Sequence, residues 1–184
     1  PFDPMEIALH KAYGKLSTID ERPNYTMIHE YPLGGKPPMM THLFKSSEGN
    51  LIIAAKGAPE ALIAVSTITS LEIDKLQEII YSLGKEGYRL LAVGKAVFTG
   101  KEYPKHQQDF KFDFKGIVAF YDPPKENIPH VLKDFEKAGI QVKLVTGDNA
   151  NTAMAIAKQI NFKGYEKSMS GDELMQLTDA ELQE

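Results

Sequence analysis

The chain reads as an α/β protein in two successive styles: an antiparallel sheet with flanking helices, then a strand and helix segment of parallel type. Three observations predict this. Short apolar runs at 26–31, 39–44 and 51–55 are separated by Gly34-Gly35-Lys36-Pro37-Pro38 and Ser46-Ser47-Glu48-Gly49-Asn50, the punctuation of an antiparallel meander. Past Asp122-Pro123-Pro124 the order becomes helix (Ile128, Val131, Leu132, Phe135, stopped by Gly139), strand (141–145) and helix (Ala153, Ile156, Ala157, Ile160) on short loops. Between the two styles, Phe110-Lys111-Phe112-Asp113-Phe114 alternates while 117–121 is apolar throughout, which predicts a change of sheet and a module boundary near 111–116.

Each element has its own local signal. Asp3-Pro4-Met5-Glu6 supplies an N-cap, a first-turn proline and an N3 carboxylate, and Ile7, Ala8, Leu9, Ala12 and Leu16 follow at helical spacing. Pro59 and Glu60 suit a helix start after the third strand. Leu76, Ile79, Ile80 and Leu83 mark a further helix closed by Gly84 and Gly87, after which strand character returns over 88–98. Thr178-Asp179-Ala180-Glu181 reads as a fresh capping box close to the last residue, and Pro1 stands almost at a helix start, so the sequence is expected to be a piece of a longer protein.

Composition excludes several classes. The 184 residues, 42% of them apolar, allow one large domain or two small ones with a buried core. A net charge of −4 without a basic stripe argues against a nucleic-acid partner. The absence of Cys removes disulfides, thiolate metal sites and cysteine nucleophiles, and the five His lack HxxH or HExxH spacing, so no metal ligands are assigned. No run approaches the roughly twenty apolar residues of a membrane span, and the piece is expected to be soluble.

Two motifs carry chemistry. Thr146-Gly147-Asp148 follows an apolar run and leads into a helix. Glycine there permits close backbone approach, the threonine hydroxyl can donate to a phosphoryl oxygen, and helix N–H groups point the same way. Read alone, the tripeptide is equally an ordinary strand-to-helix turn capped by Asp148 or Asn149. Lys56-Gly57-Ala58-Pro59-Glu60 ends an apolar run with an ammonium and a bare backbone on which a flat ligand can lie; read alone it is more simply a solvated lysine before a proline-initiated helix. Asp122-Pro123-Pro124 is a stiff connector.

The order of the motifs resembles the P-type cation-transporting ATPases. The resemblance runs through Asp3-Pro4-Met5-Glu6-Ile7-Ala8-Leu9, Glu30-Tyr31, Met39-Met40-Thr41, Lys56-Gly57-Ala58-Pro59-Glu60, Gly87-Tyr88-Arg89, Asp122-Pro123-Pro124-Lys125 and Thr146-Gly147-Asp148-Asn149 with Thr152-Ala153. It covers essentially the whole chain. It implies a nucleotide-binding domain over 1–113 and, over 114–184, part of a phosphorylation domain of haloacid-dehalogenase type. In the nucleotide-binding part, the resemblance implies that Tyr31 stacks on adenine, where the family usually has Phe, with Glu6 at the adenine end, Lys56 and Gly57 lining the base pocket and Arg89 near the phosphates. Thr146, Gly147 and Asp148 match the loop that contacts the transferred phosphoryl group and helps to organise its Mg2+ surroundings, most of the magnesium ligands lying elsewhere. Lys125 stands where the family commonly has Arg, and the spacing around Lys36 departs from the usual pattern, so neither is assigned a contact.

The family's Asp-Lys-Thr-Gly-Thr loop, with the phosphorylated Asp, and its later Gly-Asp-Gly-x-Asn-Asp loop do not occur in these residues. The expectation is therefore an ATP-binding cytoplasmic piece of a pump that works through an aspartyl phosphate, inactive by itself. Its partners would be ATP and the remaining phosphorylation, actuator and transmembrane domains. A non-catalytic nucleotide-binding or regulatory module is the alternative; a complete phosphatase is disfavoured, because no Asp-x-Asp pair follows an N-terminal strand. Lys56-Gly57-Ala58-Pro59-Glu60 resembles the motif of pumps for light cations, of which the resemblance points to calcium and leaves protons, sodium and magnesium open.

Overall fold

A computed structural model describes residues 3–100, 102–178 and 180–181. Among the described residues thirteen elements follow one another, and they gather into two compact units, the residues up to 77 with those of 90–120, and residues 78–89 with those from 121 onward.

The first unit is built on a five-stranded sheet in sequential order. Its strands are β1 (Tyr25–Gly34), β2 (Met39–Ser46), β3 (Leu51–Gly57), β4 (Arg89–Ala96, entering this unit at Leu90) and β5 (Phe112–Phe120). β1 to β4 pair antiparallel, as the short Gly- and Pro-rich connections predict. The register sets Tyr31 opposite Thr41, Thr41 opposite Ala55 and Ala55 opposite Gly94. Directly opposed residues share a face, and this row is buried throughout: Tyr31, Leu43, Met39, Ile53, Ala55, Ala92, Ala96 and Phe112 form one core with Phe110. Helix α2 (Pro59–Val65) covers it with Ala61, Leu62 and Val65. Gly94 permits that approach, because a Cβ there would lie 3.1 Å from Leu62 Cδ1 and 3.2 Å from Phe112 Cβ.

Helix α1 (Pro4–Leu16) opens as the capping signal predicts, with Asp3 Oδ1 accepting from the Met5 N–H at 2.8 Å. Glu6 does not turn back to close a reciprocal box; its carboxylate is engaged by Lys56. The expected change of sheet near 111–116 is not found. β5 is one strand from Phe112 to Phe120, and the break in alternation coincides with Gly116, whose φ of +141° interrupts the two-residue period inside the strand.

The second unit contains the end of α3 (Ser70–Lys85), then α4 (Ile128–Lys137), α5 (Ala150–Gln159) and α6 (Gly171–Leu174). Three helices close alike. Beyond α3, Gly87 at φ +85° lets Tyr88 N donate to Leu83 O and Gly87 N to Gly84 O. Gly139 at +72° does the same for α4, and Asn161 at +54° for α5. Gly139 therefore stops its helix as predicted, whereas of the pair expected to end α3 only Gly87 is the terminator. Gly84 lies buried inside the helix, 3.6 Å in Cβ terms from Asn151 Cβ and Thr152 Oγ1 of α5. Thr178 and Glu181 form the capping interaction read from the sequence.

The parallel strand expected over 141–145 is absent: these residues carry no ladder, and Val145 is 93% exposed. A strand exists only through pairing with a neighbour, and among the described residues no neighbouring strand flanks this run.

Candidate functional site

The expected site residues fall into two groups. In the first unit, Lys56 lies on β3 with Met40 of β2 and Val93 of β4 as its direct neighbours across the sheet. Alternation places this row on the face opposite the core row. Helix α1 presents Glu6 to it, and the Lys56 ammonium donates to Glu6 Oε1 at 2.6 Å across 50 positions of sequence. Both side chains are partly open to solvent. The hydrogen bond from Lys56, followed by its charge, holds the Glu6 carboxyl below its ordinary range.

The linkage runs in one direction. Because the folded-state pKa of Glu6 is depressed, the stabilisation is complete above the ordinary carboxylate range and disappears as pH falls through the lowered value. With Glu6 more than a third exposed, the pair contributes under about 1 kcal/mol. Melting curves against pH should show the native chain slightly more stable than Glu6→Gln near neutrality and indistinguishable from it in acid. A difference that grows on acidification would sink this assignment.

Gly57 ends β3, and its requirement for glycine is steric. A Cβ there would lie 2.7 Å from Met39 Cα, Met39 Cβ and Pro38 O, while Pro38 O also accepts from Ala58 N at 2.9 Å. Gly57→Ala is therefore expected to lower stability by about 1–3 kcal/mol, as overpacking does, read as a shifted denaturant midpoint.

Tyr31 is not brought to this face. It stands in the core row at 8% exposure, its ring edge-on to Phe110 at 5.7 Å and to His29 at 4.7 Å. Its hydroxyl donates to Pro104 O at 2.5 Å, and burial pushes its pKa up. No motif marks Gln107, a buried amide whose side chain bonds to Thr41, Pro32 and Met39. A polar residue amid the aromatic and apolar positions 98, 103, 110 and 112 was its only signal.

The second group lies in the second unit. Asn149 caps α5, its side chain accepting from Asn151 N at 2.9 Å. Capping by Asn149 leaves Asp148 for another partner: Arg89 Nε donates to Asp148 Oδ1 at 3.2 Å, and Arg89 Nη2 lies 3.1 Å from the same oxygen. Thr146 Oγ1 accepts from Asp148 N at 3.1 Å, which keeps its own proton for another acceptor. Gly147 has ordinary φ and nothing within 4 Å of a Cβ placed on it, so neither backbone conformation nor packing demands glycine there. Chemically, the loop offers a hydroxyl donor, the N–H groups opening α5 and an arginine fork, a set suited to anionic oxygen.

The family described as "P-type ATPase, cytoplasmic domain N" matches residues 3–127. This chain belongs to that family. Proteins similar to this P-type ATPase domain include calcium-transporting ATPase 1 of Saccharomyces cerevisiae, 25% identical over 98% of this chain and 21% of the relative. A sodium/potassium exporting P-type ATPase of Schizosaccharomyces pombe is 30% identical over 86% of this chain and 16% of its own length. A calcium-transporting ATPase of Bacillus subtilis is 28% identical, with 98% and 22% covered. This P-type ATPase chain thus spans about a fifth of the length of the curated relatives it matches. Among its described residues no helix is long and apolar enough to cross a membrane.

Proposed function

We propose that this chain holds ATP for a P-type cation pump, on the cytoplasmic side of the membrane, in a cycle that proceeds through an aspartyl phosphate formed outside these residues. The observation that carries the reading is the pairing of Lys56 with Glu6 at 2.6 Å on an open sheet face, with Met40 beside the lysine. A fixed ammonium next to an apolar side chain suits the polar edge and flat face of a purine, and Glu6 adds an acceptor for an exocyclic amino group. Tyr31, the ring expected to stack on the base, supports this site from the core row in the conformation described.

The nucleotide-binding module in this proposal is the five-stranded sheet with α1 and α2, extended to Phe120 because β5 runs unbroken to that residue. The phosphate-handling part is the loop Thr146-Gly147-Asp148 with Arg89, a remnant of a haloacid-dehalogenase-type layer. Arg89 binds phosphate oxygens, Thr146 donates its hydroxyl proton to one of them, and Gly147 leaves room for the group. Mg2+ bound with the nucleotide would offset phosphoryl charge; the oxygens of Asp148 and Thr146 fit part of its shell, and among the described residues no cluster of three His, Cys, Asp or Glu side chains completes it. Positioning, rather than bond-making, is what these residues contribute.

Calorimetric titration of the chain with ATP tests the proposal. Weak binding that Lys56→Ala diminishes is expected; no binding, or binding indifferent to that substitution, would reject the site.

A further inference from the structure

We infer that Gln107 is a positioning residue for the nucleotide face: its buried amide fixes the β1–β2 hairpin against Gly57 and so sets the wall beside Lys56. The inference rests on the ATP site proposed above. Gln107 sits in a single turn at Gln107–Asp109 and is only 6% exposed. Its Nε2 donates to Met39 O at 3.0 Å and to Pro32 O at 3.2 Å, one carbonyl from each side of the hairpin. Its Oε1 accepts from the Thr41 hydroxyl at 3.0 Å. Both N–H groups and the carbonyl of one buried side chain are therefore satisfied by residues 66 to 75 positions away.

The hairpin needs such a tie. β1 is an edge strand, and its register against β2 slips between Tyr31 and Gly34, so that residues 32 and 33 lie between the last two paired positions, Tyr31 with Thr41 and Gly34 with Met39. Pro32, within that slip, and Met39, the first residue of β2, are the two positions whose carbonyls Gln107 holds. Met39 is also the residue against which Gly57 packs with no room for a methyl group, and its neighbour Met40 stands directly opposite Lys56. A displacement of Met39 is passed by contact to Gly57 and by the chain to Met40. Gln107 itself is buried on the core side, with Thr41, Pro32 and Met39 as its partners.

The two ends of the amide have different tasks, which gives a test. Gln107→Glu keeps length and the acceptor for Thr41 but sets a carboxylate oxygen against two carbonyls; Thr41→Val removes the hydroxyl and leaves both hairpin bonds. Each should lower the melting temperature. ATP affinity, titrated well below the melt at a pH above neutral, should fall about tenfold in Gln107→Glu and change less than about twofold in Thr41→Val, the scale of one to two lost hydrogen bonds. The backbone amide resonance of Gly57 should move in the first variant and stay in the second. If Gln107→Glu does not fold, as judged by circular dichroism, Gln107→Met replaces it with the same expectation. Equal losses in the two variants, or native affinity in the Gln107 variant, would overturn the inference. Lys56→Ala in parallel separates the causes: a loss there with none at Gln107 sinks this inference alone, whereas no loss at Lys56 sinks the nucleotide face and the inference with it.

Discussion

Tyr31→Ala lowers the stability of the chain by about 3–5 kcal/mol, the range for truncating a buried aromatic ring. The expectation follows from where the ring lies. It stands at the β1 end of the core row, buried edge-on to Phe110 and His29, and Phe110 continues the cluster to Phe98 at 5.6 Å and Phe112 at 6.0 Å. Removing it opens a cavity against neighbours that are themselves fixed by the sheet and by α2, so relaxation recovers little. Tyr31→Phe should lose only the hydroxyl bond to Pro104 O, about 1 kcal/mol. Urea unfolding with an unchanged m-value reads both effects. The pair also separates two roles for this ring. Stacking on a purine needs only an aromatic face, so nucleotide affinity should survive in Tyr31→Phe under either role. A core role predicts that the folded fraction of Tyr31→Ala still binds ATP to within a few-fold, while a stacking role predicts that it does not. A Tyr31→Ala chain as stable as the native one would contradict the burial on which this rests.

Periodicity and punctuation made most of the sheet unit legible, and they failed where geometry departs from a regular repeat. Strand starts at Met39 and Leu51, the capped start of α1 and the glycine-closed ends of α3 and α4 follow from signals a few residues long. The side of the sheet that Tyr31 occupies does not. β1 slips register between Met27 and His29 and again between Tyr31 and Gly34, and each slip of one residue exchanges faces. A resemblance carried by the residue type at position 31, which lies on β1, is therefore silent about which way its ring points. Residues 141–145 show a different limit: their sequence suits a strand, yet strand structure depends on a partner, which no local signal supplies. The site was legible by halves. Glu6 and Lys56 were expected near one ligand, but their mutual ion pair depends on how α1 docks on the sheet. Asp148 and Asn149 were rival caps in the sequence; the structure gives the cap to Asn149, and that choice leaves Asp148 to meet Arg89.

Lys56→Ala should weaken ATP binding about tenfold or more while leaving the fold intact. A hydrogen bond to a charged group contributes about 1.5–3 kcal/mol, and 1.4 kcal/mol corresponds to a tenfold change in affinity. The lower end of that range applies, because the ammonium is partly solvated and already neutralised by Glu6. The same pairing predicts opposite consequences for its two members. Without Lys56, Glu6 remains as a lone carboxylate on the face that a polyanion must approach, so repulsion adds to the lost contact. Without the charge of Glu6, in Glu6→Gln, the ammonium is released toward the ligand while the neutral amide keeps an acceptor in place. That variant should bind ATP as tightly as the native chain or more tightly, and the gain should shrink with added salt. Stability hardly enters, since an exposed pair contributes little to folding, and both variants should melt close to the native temperature. A loss of similar size in both would mean that the intact ion pair, not the free ammonium, is what the nucleotide recognises, and the electrostatic part of the proposal would fall.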